Sequence, residues 1–254
     1  MSLRVVITGA SSGIGRALAA EYAHRGATLG LIARREQALQ ELVAELKVQT
    51  ALYPLDVRDA AGLARASEDF CARFGSPDVV IANAGVSAGT STERSEDRAV
   101  LQEILDVNVM GLVNTFAPFL PALRAAGGGT LVGIASVAGF RGIPGSAAYS
   151  ASKAAAITYL ESLRVELRGS GISVVTISPG YIDTPMTSRN PYPMPFMIPA
   201  HVAARRMVRA IARRRRHVVI PWQMAIVGAM LKVLPRALYD RMFARAPRKP
   251  RRDQ

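Results

Sequence analysis

The chain has 254 residues, of which half are hydrophobic and 6% are aromatic, so its composition excludes an intrinsically disordered protein and allows the core of one large α/β domain. A single cysteine, Cys71, excludes an internal disulfide and indicates a reducing compartment; in its apolar helical pattern we interpret it as a small buried hydrophobe. The net charge of +13 arises in residues 201–254, which contain 15 Lys and Arg but only two Asp, and this suggests a basic tail with its own partner.

Apolar runs of strand length alternate with helical patterns from the first residues onward. Strands are predicted at residues 3–8, 27–33, 51–56, 78–83, 130–136 and 172–178, and helices at residues 14–25, 36–47, 60–74, 98–124 and 149–168. This alternation predicts right-handed βαβ crossovers and a parallel sheet covered on both faces. We therefore expect one α/β domain with a doubly wound Rossmann-type fold. Since a strand begins at once, we expect no signal peptide or N-terminal anchor.

The first predicted strand leads into a glycine-rich turn, TGASSGIG, which opens the first helix. Gly9 permits a tight turn, Gly13 lets the backbone approach a ligand, and Gly15 allows close packing of helix on strand. The N-terminus of the helix offers free N–H groups and a positive dipole end to a pyrophosphate. The alternative is that the glycines are purely structural. The predicted cofactor contacts in this turn are Gly9, Ser11, Ser12, Gly13, Ile14 and Gly15.

Later elements carry further polar residues at their ends. Asn83-Ala84-Gly85 closes the fourth strand, and Asn108, Ser136, Tyr149 and Lys153 follow in order. With TGASSGIG, these residues resemble the short-chain dehydrogenase/reductase superfamily over about residues 3–187. The resemblance implies a seven-stranded parallel sheet whose edge strand is 217–220, after a helix near residues 200–215. It further implies a catalytic domain over residues 1–221 and a nicotinamide cofactor that contacts Asn83, Ala84 and Gly85.

Tyr149 and Lys153 lie four residues apart on a predicted helix, so their side chains share one face. A free phenol has a pKa of about 10, and lowering it by about three units takes about 4 kcal/mol. A cation at about 4 Å supplies roughly that amount at an effective dielectric of about 20. We expect Tyr149 to act as general acid/base and Ser136 to hold the same carbonyl oxygen. By resemblance, Lys153 also binds the nicotinamide ribose and Asn108 supports a water; the alternative is a solvated Tyr–Lys pair.

The end of the second strand bears on the choice of cofactor. NAD-selective folds place an acid there, whereas this chain has Arg34 and Arg35, which suit a ribose 2′-phosphate. We therefore expect NADP(H) rather than NAD(H), unless both arginines merely begin a solvated helix. By resemblance, Asp56 and Val57 contact the adenine. The residues that would orient the nicotinamide carboxamide are Pro179, Gly180, Ile182 and Thr184.

A proline- and methionine-rich segment, about residues 185–200, is the expected substrate lid by resemblance. Its apolar residues suggest a lipophilic ketone or alcohol, unless they only pack against the core. Arg141, in the loop before the catalytic helix, is expected to be a solvated charge. His24, His201 and His217 are isolated, so no metal site is expected. The lid residues are Phe140, Met186, Met194, Phe196 and Met197, with Ile143 and Pro144 as further apolar candidates.

The basic extension, residues 222–254, contains two apolar segments, 222–234 and 237–244, on either side of Pro235. The first is too short to span a bilayer but suits a helix lying in an anionic interface, beside Arg and Lys. This layout resembles microsomal hydroxysteroid dehydrogenases; the alternative is packing on a partner subunit. Nucleic-acid binding is not expected, since no aromatic residues interleave with the arginines. The residues expected to face lipid are Arg213–Arg216, Arg236, Arg241, Arg245, Arg248, Lys249, Arg251 and Arg252.

Taken together, these features predict an NADP(H)-dependent carbonyl reductase or alcohol dehydrogenase in the cytoplasm, peripheral at the membrane. The alternatives are a 3-oxoacyl-carrier-protein reductase, which uses the same site, and a cofactor-sensing or scaffold protein that has lost catalysis. Relatives by resemblance pair through the fourth and fifth predicted helices. A homodimer or homotetramer is therefore expected.

Overall fold

A computed structural model describes residues 2–251 and contains a seven-stranded parallel sheet with helices on both faces. The strands β1 to β9 are Arg4–Thr8, Thr28–Ala33, Thr50–Pro54, Val79–Ala82, Gly129–Ile134, Ile172–Pro179, Ile182–Asp183, Ile198–Pro199 and His217–Ile220. The large sheet has the order β3-β2-β1-β4-β5-β6-β9, so the strand order reverses between β1 and β4. The prediction of a doubly wound α/β fold with seven parallel strands is confirmed. The strands and helices predicted from the alternation begin and end within two residues of those observed.

Helices cover the sheet because each carries one apolar face. The α-helices α1 to α10 are Gly13–His24, Glu36–Glu45, Ala60–Phe74, Asp97–Leu105, Gly111–Phe116, Leu120–Ala125, Ala147–Glu166, Ala200–Ala212, Gln223–Val233 and Arg236–Phe243. One core cluster joins α1, α2 and α8 to the sheet through residues such as Leu18, Leu39 and Met207. The second cluster lies on the other face and includes Phe70 and Leu160. Strands buried on both faces are accordingly apolar almost throughout.

The long helix predicted at residues 98–124 is continuous but not uniform. A π-helical turn, Asp106–Met110, lies between α4 and α5, and a 3₁₀ turn, Ala117–Phe119, precedes α6. By length and composition the run Asp97–Ala125 is the one helix in the described part of the chain that could cross a membrane. Within the fold, Phe116 and Phe119 of this run are buried against the sheet.

The proline-rich segment predicted as a lid is held at both ends by a small second sheet. Ile182 pairs with Ile198 and Asp183 with Pro199, so β7 and β8 bracket the proline-rich residues between them. The chain enters α8 directly after Pro199, whose fixed φ suits a position just before a helix.

The C-terminal extension folds onto the loop that precedes α7, and Arg141 holds it there. The Arg141 guanidinium donates to the carbonyls of Leu231 and Leu234, both at 2.7 Å, and lies 4.2 Å from the ring centroid of Tyr239. These carbonyls belong to the last turn of α9 and to the residue after it, where a cation satisfies unpaired acceptors and complements the helix dipole. The expectation of a solvated Arg141 is therefore wrong, because the extension covers it.

Candidate active site

A cavity of about 810 Å³ opens at the carboxyl ends of the parallel strands, where the strand order reverses. Open α/β sheets bind ligands at this position. It brings together residues from the loops after β1 to β6 and from α7, which are far apart in the sequence. The predicted residues that line it are Gly9, Ser11, Ser12, Gly13, Ile14, Arg34, Arg35, Asp56, Val57, Asn83, Ala84, Gly85, Ser136, Tyr149, Lys153, Pro179, Gly180, Ile182 and Thr184.

The glycine-rich turn forms a cradle of bare backbone at the start of α1. Gly9 and Gly13 have φ values of +67° and +54°, which residues with a Cβ rarely adopt. Among the described residues no side chain caps the first amides of α1, so these N–H groups are free to bind an anion. The cradle therefore fits the pyrophosphate of a dinucleotide. Gly15 has a packing role instead, since a Cβ there would lie 2.2 Å from the Gly9 carbonyl oxygen.

Two arginines and an aspartate stand at the predicted adenosine end of the cavity. Arg35 donates to the hydroxyl of Ser11 at 3.3 Å, and Arg34 lies 3.8 Å from the carboxylate of Asp56. Asp56 is fully engaged by Arg58, whose hydrogen bonds hold the pKa of the carboxyl below its usual range. The end of β2 thus presents two partly exposed guanidinium groups to the cavity.

Tyr149, Ser136 and Lys153 meet in the cavity beyond β5. Lys153 is buried and donates to the carbonyl of Ile134 at 2.9 Å, and its Nζ lies 5.8 Å from the centre of the Tyr149 ring. Burial lowers the pKa of Lys153 to about 8. Burial also raises the pKa of Tyr149, although a hydrogen bond from Ser136 opposes the rise. Desolvation is thus the main cause of the raised pKa of Tyr149, and Lys153 donates to a backbone carbonyl; that Lys153 makes the phenol more acidic stays a prediction.

This arrangement suits a proton donor. The Tyr149 phenol lies within hydrogen-bond reach of Ser136 in the cavity, so both hydroxyl groups can contact one oxygen placed beside them. Ser136 caps the 3₁₀ turn Val137–Gly139 through a hydrogen bond from the Ala138 amide at 3.1 Å, which fixes its hydroxyl near the phenol.

Asn108 lies on the π-helical turn, a feature that the residue pattern did not reveal. Its amide nitrogen donates to Ser152 Oγ at 2.9 Å and to the Val86 carbonyl at 3.0 Å, while its oxygen accepts from the Val86 amide at 2.8 Å. The wider turn directs this buried side chain between the loop after β4 and α7, and π-turns often occur at functional sites. Asn108 thus ties α7, which carries Tyr149, to the loop that lines the cavity.

The lid prediction needs correction at four of its five residues. Met186 lines the cavity, but Phe196 and Met197 are exposed, and Met194 contacts the side-chain amide of Asn190. Phe140 packs on the C-terminal extension, where a Cβ on Gly228 would lie 2.4 Å from its ring. Apolar composition alone could not distinguish a residue that faces the cavity from one that packs elsewhere.

The C-terminal extension also reaches the cavity, which the sequence did not predict. Residues 246–251, which we call the C-terminal strap, return from α10, and Lys249, Pro250 and Arg251 line the cavity. The expectation that Lys249 and Arg251 face lipid is therefore wrong, since both side chains turn inward to protein partners. Arg252 lies outside the described residues. Ser87 and Arg189 also line the cavity, which the residue pattern did not predict.

Metal chemistry has no support from the described part of the chain. Among residues 2–251, no group of three or more His, Cys, Asp and Glu side chains is placed to hold a metal ion. Cys71 is partly buried, and burial raises the pKa of its thiol, so it has the character of a structural residue.

Comparisons with known proteins agree with this geometry. A family model described as short chain dehydrogenase matches residues 4–193. An uncharacterized oxidoreductase of Myxococcus xanthus (strain DK1622) is 42% identical over 244 residues, covering 94% of this chain and 96% of that protein. Sulfoacetaldehyde reductase 2 of Chromohalobacter salexigens is 38% identical over 192 residues, covering 74% of this chain and 75% of that protein.

A solved structure also shares the fold of this chain. The alcohol dehydrogenase from the archaeon Thermococcus sibiricus, complexed with 5-hydroxy-NADP, superposes with a TM-score of 0.76 and 28% sequence identity. The match covers 87% of this chain and 96% of that one.

Proposed function

We propose, since the chain belongs to the short chain dehydrogenase family, that this oxidoreductase interconverts a ketone and a secondary alcohol with NADP(H). The observation that carries the proposal is the cluster of Tyr149, Ser136 and Lys153 in the cavity, next to the glycine cradle at the start of α1. A proton donor beside a nucleotide-sized cavity is what reduction of a carbonyl requires.

A bound nicotinamide dinucleotide would supply the hydride for reduction and accept it for oxidation. Tyr149 gives its phenolic proton to the carbonyl oxygen in the reductive direction and takes it back in the oxidative one. Ser136 donates a hydrogen bond to the same oxygen and holds it against the phenol. Lys153, fixed by the Ile134 carbonyl, binds the ribose and stabilises negative charge on Tyr149.

The preference for NADP(H) rests on the end of β2. Arg34 and Arg35 border the cavity with partly exposed guanidinium groups, and a guanidinium binds a phosphate through paired hydrogen bonds. The solved neighbour from Thermococcus sibiricus holds an NADP derivative, which supports the same class of cofactor.

A lipophilic substrate is supported by the apolar side chains around the reacting end of the cavity, among them Val86, Ala88 and Met186. The extension adds a route to such substrates. Trp222, Ile226, Met230 and Val233 form an exposed apolar stripe at helical spacing along α9. We propose that this stripe lies in the interface of an anionic membrane.

Basic residues stand beside the stripe. The ring of Phe140 contacts both the His217 ring and the Lys232 ammonium, so the end of α9 lies next to the start of β9. The exposed run Arg213–Arg216 immediately precedes that strand. Charge and apolar surface together match an anionic bilayer, each basic residue contributing about 1 kcal/mol near the surface.

The central test is turnover with a panel of ketones and alcohols, followed by the absorbance of the reduced cofactor. We expect Tyr149→Phe to lose at least about a hundredfold in kcat with little change in NADPH affinity, because the phenol acts on the substrate. Tyr159→Phe is the matched control, since it removes a hydroxyl from the same helix but away from the cavity lining.

Three outcomes would change the assignment. A Tyr149→Phe protein with near wild-type rates would exclude the phenol as acid/base. A wild-type protein that binds NADPH but turns over no panel compound would favour a cofactor-sensing scaffold. If the panel contains a 3-oxoacyl thioester and only the 3-oxo group of that compound is reduced, the enzyme is a 3-oxoacyl-carrier-protein reductase instead.

A further inference from the structure

The C-terminal strap is held at the start of α4 by a mostly buried ion pair. Arg251 donates to both carboxylate oxygens of Asp97, at 2.7 and 3.1 Å, and to Glu96 at 3.3 Å. Asp97 is 6% exposed, and it also accepts from the Ser91 amide at 2.7 Å. A bidentate pair between Arg and a carboxylate fixes direction as well as position. The strap is therefore anchored at residue 251.

The backbone of the strap follows two glycines closely. The Gly89 amide donates to the Pro250 carbonyl at 2.9 Å, and a Cβ on Gly89 would lie 2.2 Å from the Lys249 carbonyl oxygen. A Cβ on Gly145 would lie 2.7 Å from Arg248 Cβ. Side chains at either position would push the strap away. The path of the strap is thus specified by the loops that border the active site.

Between these contacts, Lys249 extends toward the catalytic phenol. Its Nζ donates to Ser87 Oγ at 2.7 Å and lies 5.6 Å from the centre of the Tyr149 ring. Among residues 2–251, no carboxylate lies within ion-pair distance of Lys249. Partial burial of an ammonium without an opposite charge beside it costs free energy, unless a bound ligand supplies that charge.

The other charged residues that line the cavity also indicate that Lys249 is available to a ligand. Within the described chain the one acid that lines the cavity is Asp56, and it is already paired with Arg58 at 2.7 Å. Arg34 and Arg35 are accounted for by the proposed cofactor phosphate, and Lys153 by the phenol and the ribose. Arg251 is paired with Asp97. Lys249 and Arg189 have no such role, but Arg189 is exposed, whereas Lys249 is partly buried and stands on the side of Tyr149 where Ser87 and Ala88 line the cavity.

We propose that Lys249 is a substrate-binding residue, and that the substrate is an oxo acid or the corresponding hydroxy acid. Its carboxylate pairs with the Lys249 ammonium while its carbonyl oxygen meets Tyr149 and Ser136. The inference rests on the proposed carbonyl–alcohol reaction and names its substrate class. A lipophilic carbon chain next to the carboxylate is compatible with Val86 and Met186 in the same cavity.

The test compares oxo acids with their neutral esters, using acetoacetate, levulinate and benzoylformate, each against its methyl ester. For the wild type we expect a clearly lower KM for at least one acid than for its ester. Lys249→Met should raise the KM of that acid by about tenfold to a hundredfold, the size of one charge-assisted hydrogen bond. The acid-to-ester ratio of kcat/KM should fall by the same factor.

A matched control and an independent variant separate recognition from folding. Lys232→Met removes an exposed lysine of the same extension and should leave the acid-to-ester ratio unchanged. Gly89→Ala keeps Lys249 but displaces the strap, so it should lower the ratio as Lys249→Met does. Circular dichroism and NADPH binding confirm that each variant is folded.

The outcomes distinguish this inference from the proposed function. If esters and acids are both reduced and Lys249→Met leaves their ratio unchanged, the carboxylate assignment is wrong while the oxidoreductase remains. If no carbonyl compound is reduced by the wild type, the proposed function fails first. A ratio that falls in both Lys249→Met and Gly89→Ala, but not in Lys232→Met, supports the assignment.

Discussion

Two neighbouring residues, Arg34 and Arg35, occupy the place where an acid binds the ribose 2′-hydroxyl in NAD-selective folds. Arg34 reaches Asp56 and Arg35 reaches Ser11, so both guanidinium groups are held at the rim of the cavity. We expect NADPH to bind more tightly than NADH. The double variant Arg34→Ala with Arg35→Ala should weaken NADPH binding by at least tenfold to a hundredfold, since even one charge-assisted hydrogen bond contributes about 1.5–3 kcal/mol.

Isothermal titration calorimetry with both cofactors measures this difference. Arg25→Ala is the control, because Arg25 follows α1 and pairs with Glu21 away from the cavity. NADH affinity should change little in either variant. Equal affinities of the wild type for NADPH and NADH would contradict the assignment of the two arginines.

At the scale of a single element, α9 has two faces with different partners. Met224 is buried, and a Cβ on Gly180 would lie 2.5 Å from its side chain, whereas Ile226 and Met230 point outward. If the exposed stripe enters a membrane interface, Ile226→Gln with Met230→Gln should lower vesicle affinity by at least about a hundredfold. Burying each such side chain is worth about 1.5–3 kcal/mol.

Sedimentation with phosphatidylserine-rich vesicles at low salt measures this binding. Leu3→Gln is the control, because Leu3 is an exposed apolar residue just before β1. This variant should pellet like the wild type. A wild-type protein that stays in the supernatant would mean that the stripe of α9 is covered by protein and not by lipid.

At the scale of the whole molecule, apolar residues remain exposed on α7 and on the run that packs against it. Leu101, Met110 and Val165 are 41%, 51% and 60% exposed. We expect a second copy of the chain to cover these helices in a homodimer or homotetramer. Met110→Glu with Val165→Glu should then reduce the mass in sedimentation velocity, because unpaired charges in a closed interface are costly.

Met242→Glu supplies the comparison for this experiment, since Met242 is equally exposed but lies on α10. It should leave the assembly intact. An unchanged mass in the double variant would exclude α7 and its neighbouring run as the interface, and a monomeric wild type would exclude the oligomer itself.

Local sequence patterns were enough to predict the parallel sheet, the glycine-rich turn and the spacing of Tyr149 and Lys153. Strand and helix periods are set by neighbours a few residues apart, and Tyr149 and Lys153 share a face because four residues make one helical turn. Gly9 and Gly13 could be assigned in the same way, since tolerance of a positive φ is a property of glycine itself. Features that depend only on residues a few positions apart can therefore be predicted from the sequence.

Tertiary structure alone decided what the basic extension touches. The Lys249–Ser87 contact joins residues 162 positions apart, and the Arg251–Asp97 pair spans 154 positions. No periodicity connects such residues, so the sequence predicted that Lys249 and Arg251 face lipid together with the other basic residues. Arg141 appeared solvated for the same reason, since its partners lie 90 and 93 positions away. Whether the Lys249 ammonium faces lipid, water or the Tyr149 phenol depends on the path that the chain takes after α10, and packing determines that path.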